Sequence, residues 1–430
     1  MTPRSSLRAS ALLFCVLLAA VSATATPRLA REDEAFLEDL SRRAFRYFQE
    51  QADPRTGLVL DRARTDGGPV NGVASIAATG FGLTGWCIAA ERGWVAEAEA
   101  AARVRATLSF LANELPHEHG WFHHFVDPRT GARVWQCELS SIDTALLLAG
   151  VLTARQTFRR DADIRRLATA IYERVDFPWM LAGHPTLLSM GWRPETGFLP
   201  ARWDHYSELM ILYLLGLGSP TRPLPSASWA AWRREEVRYG AFRFIGAADP
   251  LFVHQYSHAW IDFRGRRERR APHADYFENS VRATRAHRQF CLDLAKEFPG
   301  YTDAIWGITA SDSARGYVAW GGPPRHGPID GTVVPCAAAG SLMFAPEIAL
   351  PALRAMKDRF GDRIYGRYGF ADAFHPTNGW VNPDVIGIDL GITLLSAENL
   401  RRETVWRRFM RNPEIPRALR LAGLTRVRKS

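Results

Sequence analysis

The sequence predicts an all-α fold in which about twelve helices form two concentric rings, an (α/α) barrel. Apolar residues recur at helical spacing along most of the chain, and few segments alternate as strands do. Amphipathic helices also tend to alternate with uniformly apolar ones. A uniformly apolar helix has to be buried on every side, whereas an amphipathic helix is buried on one side only. The alternation therefore predicts an inner ring of apolar helices inside a ring of amphipathic ones.

The first predicted helix, Glu32–Gln51, carries a stripe of apolar residues, and the second, Asn71–Arg92, is apolar almost throughout. No helix-length repeat is present, which disfavours a solenoid, and no linker divides the chain. The remaining helices are predicted at Trp94–Asn113, Glu138–Phe158, Asp161–Val175, His205–Leu217, Ser226–Val237, Pro250–Ile261, Asp275–Lys296, Cys336–Phe344, Pro346–Phe360, Gly387–Leu400 and Glu403–Met410.

The chain is predicted to contain three segments. A short arginine-containing region, an apolar run over 9–21 and the small residues Ala23-Thr24-Ala25 have the layout of a secretory signal peptide at 1–25. One catalytic domain follows from about residue 30 to 411, and 412–430 is predicted to be a basic tail. We therefore expect the protein in the periplasm or secreted, with no stable membrane anchor.

Charge and cysteine usage exclude several classes of function. The formal net charge is +9, but most of the excess lies in residues 401–430, so no folded face is typical of a nucleic-acid partner. Only three lysines occur, and a Walker A phosphate loop, which ends in Gly-Lys-Ser/Thr, is excluded. Cys87, Cys137 and Cys336 lie in apolar surroundings without metal-type spacing, which favours buried thiols over disulfides or zinc ligands.

Three motif matches fail on their context. Gly80-Phe-Gly82-Leu-Thr-Gly85 has the spacing of a dinucleotide fingerprint, but a predicted helix stands where that motif needs a strand. His254 and His258 share a helix face, but Gln255 occupies the position of the HExxH glutamate, which is the base of that enzyme. His117, His119, His123 and His124 are loosely spaced around Trp121. A loop lined by sugar contacts or by ion pairs is favoured over a metal site there. No metal and no cofactor is predicted.

The strongest functional signal is carboxylates beside aromatic residues at predicted helix starts. Glu208 heads the uncharged run from Leu209 to Gly218. A carboxyl that faces such a low-dielectric setting has a raised pKa, as a general acid requires. Asp204 lies four residues earlier, on the same face if the helix covers both. The alternatives are that Asp204 caps the helix and that Glu208 belongs to a capping box or an ion pair.

Further carboxylates lie among apolar residues, where an isolated charge is costly, and this predicts a shared polar cavity. Asp143 precedes six apolar or small residues, and Asp389 lies in an apolar run. Inverting glycoside hydrolysis needs such a cavity, because one carboxyl protonates the leaving oxygen while another, roughly 6.5–9.5 Å away, activates water. The residues predicted to bind the sugar are Glu138, Trp121, Arg202, Trp203, Asp204, His205, Tyr256, His258, Asp312, Trp320 and Asp330.

Five stretches resemble the bacterial glycoamylase-like family. They are SSIDTALLLAG at 140–150, RWDHYSELMILYLLGLGSP at 202–220, LFVHQYSHAWIDFRG at 251–265, WGITASDS at 306–313 and PDVIGIDLG at 383–391. Characterised members include endo-β-1,2-glucanases, and the family is similar to a domain of cyclic β-1,2-glucan synthases. The resemblance covers about residues 32 to 411 and implies an (α/α)6 barrel. It also implies an inverting, metal-free hydrolase of β-1,2-glucan, with Glu208 as acid, Asp389 as base and Asp143 as a further acidic site residue.

One departure from the family and several alternatives remain open. Leu390-Gly391-Ile392 follows the GID motif where members often continue with Gln-Gly-Pro, which leaves linkage and chain length undecided. The substrate is a polysaccharide or oligosaccharide; the alternatives are a hydrolase of another glucan and an exo-acting enzyme that releases sophorose. A polysaccharide lyase, with Tyr206 or His205 as its base and Arg202 beside it, is less favoured. A non-catalytic sugar-binding protein would have no need of a buried Glu208.

Overall fold

The computed structural model describes residues 29–68, 72–247 and 249–427. The predicted signal peptide at 1–25 lies outside this part. The described residues form fourteen α-helices: α1 (Arg31–Glu50), α2 (Ile76–Arg92), α3 (Glu97–Asn113), α4 (Ser141–Thr157), α5 (Ala162–Glu173), α6 (Met210–Gly218), α7 (Ser228–Ala231), α8 (Tyr256–Trp260), α9 (Tyr276–Leu294), α10 (Pro335–Ala339), α11 (Pro346–Phe360), α12 (Gly387–Arg402), α13 (Thr404–Phe409) and α14 (Glu414–Leu421).

Short strands of two to four residues connect the helices. They are β1 (Arg62–Arg64), β2 (Ala74–Ser75), β3 (His117–Glu118), β4 (Trp121–Phe122), β5 (Phe125–Val126), β6 (Leu139–Ser140), β7 (Gly191–Arg193), β8 (Gly197–Phe198), β9 (Glu236–Tyr239), β10 (Phe242–Ile245), β11 (Arg266–Glu268), β12 (Ala310–Ser313), β13 (Gly316–Ala319), β14 (Tyr365–Gly366), β15 (Gly369–Phe370), β16 (Asp384–Ile386) and β17 (Leu424–Arg426). The prediction of a mostly helical chain is confirmed.

The helices predicted as uniformly apolar are buried along most of their length. Helices α2 and α4 pack against each other, and each is buried over nearly all of its residues. A Cβ atom added to Gly150 would lie 2.1 Å from the carbonyl oxygen of Gly80, so the two backbones touch at this crossing. The glycine spacing after residue 80 therefore serves close helix packing, as the sequence context indicates, and not a dinucleotide.

The amphipathic helices cover the buried ones. Helix α1 packs against α12 and α2 and buries a stripe that includes Phe36, Leu40 and Phe48, while its acidic side chains are partly or fully exposed. Helix α5 buries Ile164, Leu167 and further apolar residues against α4 and α3. This is the one-sided burial that the apolar periodicity predicts.

Three of the buried helices start directly after a short strand. Strand β2 leads into α2, β6 leads into α4 and β16 leads into α12. Each strand is paired antiparallel with a distant segment, β2 with β5, β6 with β7 and β16 with β1. Pairing fixes the residue at which each helix begins, and it thereby fixes the side chains of the first helical turn.

Four helix predictions are wrong in extent, and those over Pro250–Ile261 and Cys336–Phe344 are α-helical only in α8 and α10. The helix predicted from His205 begins only at Met210, because the main chain of 204–206 pairs with Arg233 instead of turning helically. Asp204 and Glu208 therefore do not share a helix face, and Asp204 is not the cap. The helix predicted over Ser226–Val237 is helical only in α7 and continues as β9, whose Val237 opposes Phe244 of β10.

The segment predicted as a basic tail packs against the helical body as far as residue 427. Helix α14 buries Ile415, Ala418 and Leu419 and contacts α6. Arg155 donates hydrogen bonds to Asn412 and Glu414 in a buried position, and β17 pairs with β11. The positive charge of this segment is thus carried by packed structure in its described part.

Cys87, Cys137 and Cys336 are buried and free, as the sequence predicts, and Cys291 is also buried and free. Among the described residues, none of the helices is both long and apolar enough to cross a membrane.

Candidate active site

Glu208 lies two residues before α6, at the end of the irregular segment that Arg233 pairs with. Its carboxyl is buried, and no side chain among the described residues donates a hydrogen bond to it. Ser257 donates to its main-chain oxygen at 2.6 Å and holds the segment in place. Burial raises the pKa of Glu208 to about 7, and the negative charges of Asp249 and Asp143 act in the same direction. The group therefore holds a proton near neutral pH.

Asp389 lies in the first turn of α12 and forms a carboxyl pair with Asp372, in the loop between β15 and β16. Burial raises the pKa of Asp389 to about 6, although hydrogen bonds from Asp372 and Cys336 act in the opposite direction. Burial and the charge of Asp389 raise the pKa of Asp372 well above its ordinary value. Two carboxyls in contact cannot both ionise easily, so Asp372 keeps the shared proton and Asp389 carries the charge.

The second oxygen of Asp372 is held from the protein side. It accepts hydrogen bonds from the main-chain nitrogen of Asp312 and from the side-chain amide of Asn382, both at 3.0 Å. In the described part of the chain, no donor reaches its Oδ1 atom. The contact with Asp389 therefore supplies the missing partner, which fits a proton held between the two carboxyls.

Asp312 joins this group through Arg62, which was not predicted as a site residue. The guanidinium of Arg62 donates to Asp312 at 2.7 Å and to its neighbour Asp61 at 3.1 Å. Burial raises the pKa of Asp61, and Arg62 opposes that rise. The arginine thus keeps two carboxylates close to Asp389 without placing a donor on Asp389 itself.

Asp143 lies in the first turn of α4 and accepts a hydrogen bond from the cap residue Ser140. His124 bridges two acids, with Nδ1 at 3.1 Å from Glu138 and Nε2 at 3.5 Å from Asp143. Burial alone would lower the pKa of His124, but the charges of Asp143 and Glu138 raise it overall. The hydrogen bond from His124 lowers the pKa of Glu138 to about 2. This wall of the site is therefore an ion-paired cluster.

His205 and Asp204 form a second ion-paired cluster beside Glu208. Nδ1 of His205 lies 2.9 Å from Asp204 and Nε2 lies 3.5 Å from Asp249. The hydrogen bond to Asp249 raises the pKa of His205 to about 9, with Asp204 contributing as well. His205 is therefore positively charged at neutral pH and holds Asp249 near Glu208.

Tyr256, in the first position of α8, lies close enough to both candidate catalytic carboxyls to respond to their charges. Burial raises its pKa, and the charges of Asp389 and Glu208 both add to the rise. Its ring packs against Phe81 and Phe252 at centroid distances of 5.7 Å and 5.0 Å. The phenol is thus fixed in place near both acids.

Several predicted sugar contacts have structural roles instead. Trp121 is fully buried and donates to the main-chain oxygen of Asp176, and His258 is fully buried among Phe263, Phe277 and Phe344. For these two residues the prediction of a substrate contact is wrong, because their side chains point into the core.

Four other predicted contacts are engaged within the protein. Trp203 donates to Ser141 at the start of α4, and Trp320 is buried and donates to Ser311. Arg202 donates to two main-chain oxygens, of Leu181 and Leu187. Asp330 is an exposed turn residue that accepts from the main chain of Thr332, apart from the acid cluster. These residues support the loops around the site.

Sequence reasoning missed Asp372, Asp61, Arg62, His124 and Asp249. Asp372 carries the same signal as Asp389, since it lies alone between Phe370-Ala371 and Ala373-Phe374. His124 falls within the histidines at 117–124, and their spacing does not reveal which acids His124 contacts. In the described part of the chain, no group of three or more His, Cys, Asp or Glu residues is arranged to hold a metal ion.

Comparison with known proteins points to one family. Residues 200–413 match the family model described as "Glycoamylase: Putative glucoamylase". The chain is 28% identical over 436 residues to an exo beta-1,2-glucooligosaccharide sophorohydrolase (non-reducing end) of Parabacteroides distasonis. That match covers 93% of this chain, which spans 59% of the length of the curated relative.

Solved structures share the fold. An endo-β-1,2-glucanase from Chitinophaga pinensis, in complex with sophorotriose and glucose, is similar with a TM-score of 0.85 at 26% identity, over 93% of this chain and 99% of that one. A β-1,2-glucanase from Parabacteroides distasonis is similar with a TM-score of 0.83 at 26% identity, over 92% of this chain and 60% of that one.

Proposed function

The chain belongs to the Glycoamylase family, and from that premise we propose that it is a glycoside hydrolase that cleaves β-1,2-glucan by an inverting acid/base mechanism. The observation that carries the proposal is the contrast between two buried carboxyls, Glu208 and Asp389. They belong to a group that we call the acid cluster, which also contains Asp61, Asp143, Asp249, Asp312 and Asp372. Glu208 has no side-chain donor and a pKa raised to about 7, while Asp389 is kept charged by donors from Asp372 and Cys336.

Glu208 is proposed as the general acid. It holds its proton near neutral pH, and the proton passes to the glycosidic oxygen as the bond to the anomeric carbon breaks. The carboxylate that remains is disfavoured by burial and by the charge of Asp143, so it recovers a proton from water after each turnover. The positive charge of His205 acts in the opposite direction and lowers the pKa of Glu208.

Asp389 is proposed as the general base. It accepts a proton from a water molecule that attacks the anomeric carbon from the face opposite Glu208. Asp372 positions it, because the hydrogen bond from the protonated Asp372 holds one oxygen of Asp389 and favours its ionised form. Asp143, by contrast, is engaged by Ser140 and His124, which assigns it to binding sugar hydroxyls beside the acid.

The proposed architecture is an (α/α)6 barrel. It is supported by a closed series of contacts among alternate helices, since α2 packs on α4 and α12, α4 packs on α6, and α10 packs on α12. Hydrogen bonds complete the series: Ser257 of α8 accepts from Ile211 of α6, and Gln255 at the start of α8 donates to Ala337 of α10. Placing the acids at the starts of the inner helices gives them one common opening.

An exo-acting enzyme that releases sophorose is the second candidate function, because the curated relative from Parabacteroides distasonis is described by that activity. The signal-peptide pattern in residues 1–25 supports a periplasmic or secreted location, where glucans of this kind are accessible.

The test is product analysis on a panel of β-1,2-, β-1,3- and α-1,4-glucans and alginate. We expect reducing sugar from β-1,2-glucan alone, with the α-anomer released first and detected by NMR before mutarotation. A ladder of products indicates endo action, and sophorose alone indicates exo action. Release of the β-anomer first would contradict the role of Asp389 as general base. Unsaturated products from alginate would show that the enzyme is a lyase and not a hydrolase.

A further inference from the structure

Trp135 has an unusual backbone conformation and an unusual exposure. Its side chain is 59% exposed, although it is one of the largest apolar side chains in the protein. Its φ angle is 55°, and that of the next residue, Gln136, is 48°. Bulky residues rarely adopt this left-handed region, and such conformations persist only where the surrounding structure imposes them.

Arg133 imposes this conformation. Its guanidinium donates hydrogen bonds to the main-chain oxygens of Gln136 and Cys137, the two residues that follow Trp135. The same guanidinium forms a two-pronged ion pair with Glu195, at 2.6 Å and 3.1 Å, on the loop that joins β7 and β8. The turn is therefore tied both to its own carbonyls and to a neighbouring loop, and it presents the indole outward.

An aromatic path connects this indole with the acid cluster. The ring of Trp135 meets that of Phe125 edge-on at 5.1 Å, and Phe125 stacks on His124 at 3.8 Å with an interplanar angle of 16°. His124 in turn contacts Glu138 and Asp143. The exposed indole and Phe125 thus form an aromatic shelf that begins at the protein surface and ends at His124, in the wall of the candidate site.

Such a shelf fits the chemistry of a sugar chain. A pyranose ring has an apolar face of C–H groups that lies flat on an aromatic ring, while its hydroxyls point sideways to polar partners. Arg193 supplies a polar partner beside the shelf, 3.6 Å from Glu138 and 43% exposed at its side chain. An indole held rigidly in advance loses little conformational freedom when a ligand stacks on it.

We propose that Trp135 forms a sugar-binding subsite that stacks against a glucosyl unit of the chain, beyond the units that contact the catalytic carboxyls. This inference rests on the proposed function, since it assumes that a glucan chain enters the acid cluster. Its consequence is a preference for longer substrates, because only a chain that extends past Phe125 reaches the indole.

The experiment compares Trp135→Ala, Trp135→Phe and Trp135→Gly with the unaltered enzyme. We expect W135A to raise KM for polymeric β-1,2-glucan about tenfold with little change in kcat, because a remote stacking contact is made equally in the ground and transition states. W135F keeps an aromatic face and should stay within about threefold of the unaltered KM. For the shortest oligosaccharide that the enzyme cleaves, W135A should change neither constant.

W135G separates binding from a structural role. Glycine adopts φ near 55° without steric cost, so W135G should unfold at a temperature equal to or above that of the unaltered protein while KM rises as in W135A. Leu421→Ala, at an exposed residue of α14, is the matched control and should alter neither property. Unchanged KM for polymer in W135A or in W135G would overturn the subsite.

A binding measurement distinguishes failure of this inference from failure of the proposed function. Calorimetry with long β-1,2-glucooligosaccharides is run on Glu208→Gln and on Glu208→Gln combined with Trp135→Ala. We expect the double variant to bind about tenfold more weakly than the single variant. Equal binding by both overturns the Trp135 subsite alone, whereas absence of binding by the single variant overturns the proposed substrate.

Discussion

The pKa values of two glutamates, the part-buried Glu38 and the buried Glu208, are shifted in opposite directions. Glu38 on α1 accepts hydrogen bonds from Arg42, Arg92, Trp94 and Arg401. Burial alone would raise the pKa of Glu38, but these donors lower it to about 2. Glu208 receives no such donor, and burial raises its pKa to about 7. The same side chain is therefore fixed as an anion in one region and as an acid in the other.

The difference shows how the fold separates stability from chemistry. Glu38 and its donors Arg42, Arg92, Trp94 and Arg401 form what we call the α1 cluster. It joins α1, α2 and α12 through charge-assisted hydrogen bonds, and Arg401 is almost fully buried within it. At the acid cluster, the arginine that could neutralise the carboxyls, Arg62, is directed to Asp61 and Asp312. Burying Glu208 without a side-chain donor costs stability when it ionises, and that cost is what makes it a proton donor.

Of the substitutions that test this comparison, that of Glu208 should have the largest effect, which is on catalysis. Glu208→Gln keeps the size and polarity of the side chain but removes its proton, so hydrolysis should fall by at least about 10²-fold. Glu38→Gln, the matched substitution in the α1 cluster, should leave kcat within about twofold, since Glu38 contacts no part of the acid cluster. Initial rates on an unactivated glucan measure both. Near-normal turnover by E208Q would remove Glu208 from the role of acid.

The two substitutions should have opposite effects on stability. Glu38 has a lowered pKa, so its contribution is present above its ordinary pKa of 4.5 and is lost as the pH falls towards 2. At pH 8 we expect E38Q to lower the free energy of unfolding by about 1–2 kcal/mol, after allowance for solvent screening of this part-exposed group.

Glu208 has a raised pKa, so its proton stabilises the folded state fully below pH 4.5, and this contribution is lost as the pH rises through about 7. E208Q cannot ionise and should therefore be more stable than the unaltered protein at pH 8, by up to about 3 kcal/mol. Urea unfolding at pH 5 and pH 8 checks both variants. A loss of stability in E208Q at pH 8 would contradict the absence of a donor to Glu208.

The enzyme should be active only over a narrow pH range. Activity requires Asp389 ionised and Glu208 protonated, so kcat/KM should rise through about pH 6 and fall through about pH 7. The profile is measured on β-1,2-glucan in buffers of constant ionic strength. A plateau that extends beyond pH 9 would show that no acid of this kind takes part.

A smaller effect is expected from the partner of the base. Asp372→Ala removes a hydrogen bond that lowers the pKa of Asp389, so the acidic limb of the profile should move to higher pH. Asp372→Asn keeps an amide donor and should move that limb less. If D372A leaves the acidic limb in place, the limb belongs to another group than Asp389.

The sequence predicts the fold and the principal acids from local patterns. Apolar runs indicated the buried helices, and single carboxyls inside such runs indicated Glu208, Asp143 and Asp389. The pattern does not reveal where a side chain points, which is why Trp121 and His258 were placed in the site. It also does not reveal partners from distant segments, so the contact between Asp372 and Asp389 and the bridge from Arg62 to Asp312 emerge only in three dimensions.

The central claim is that Glu208 keeps its proton near neutral pH because burial outweighs the hydrogen bond from its own main chain, and no side chain donates to its carboxyl. Infrared difference spectra between the unaltered protein and E208Q isolate the carboxyl stretch of Glu208 during a pH titration. We predict that the band of the protonated carboxyl disappears with a midpoint near the pKa of about 7. A midpoint near the ordinary value of 4.5 would contradict the claim, because Glu208 would then be an anion under the conditions of the reaction.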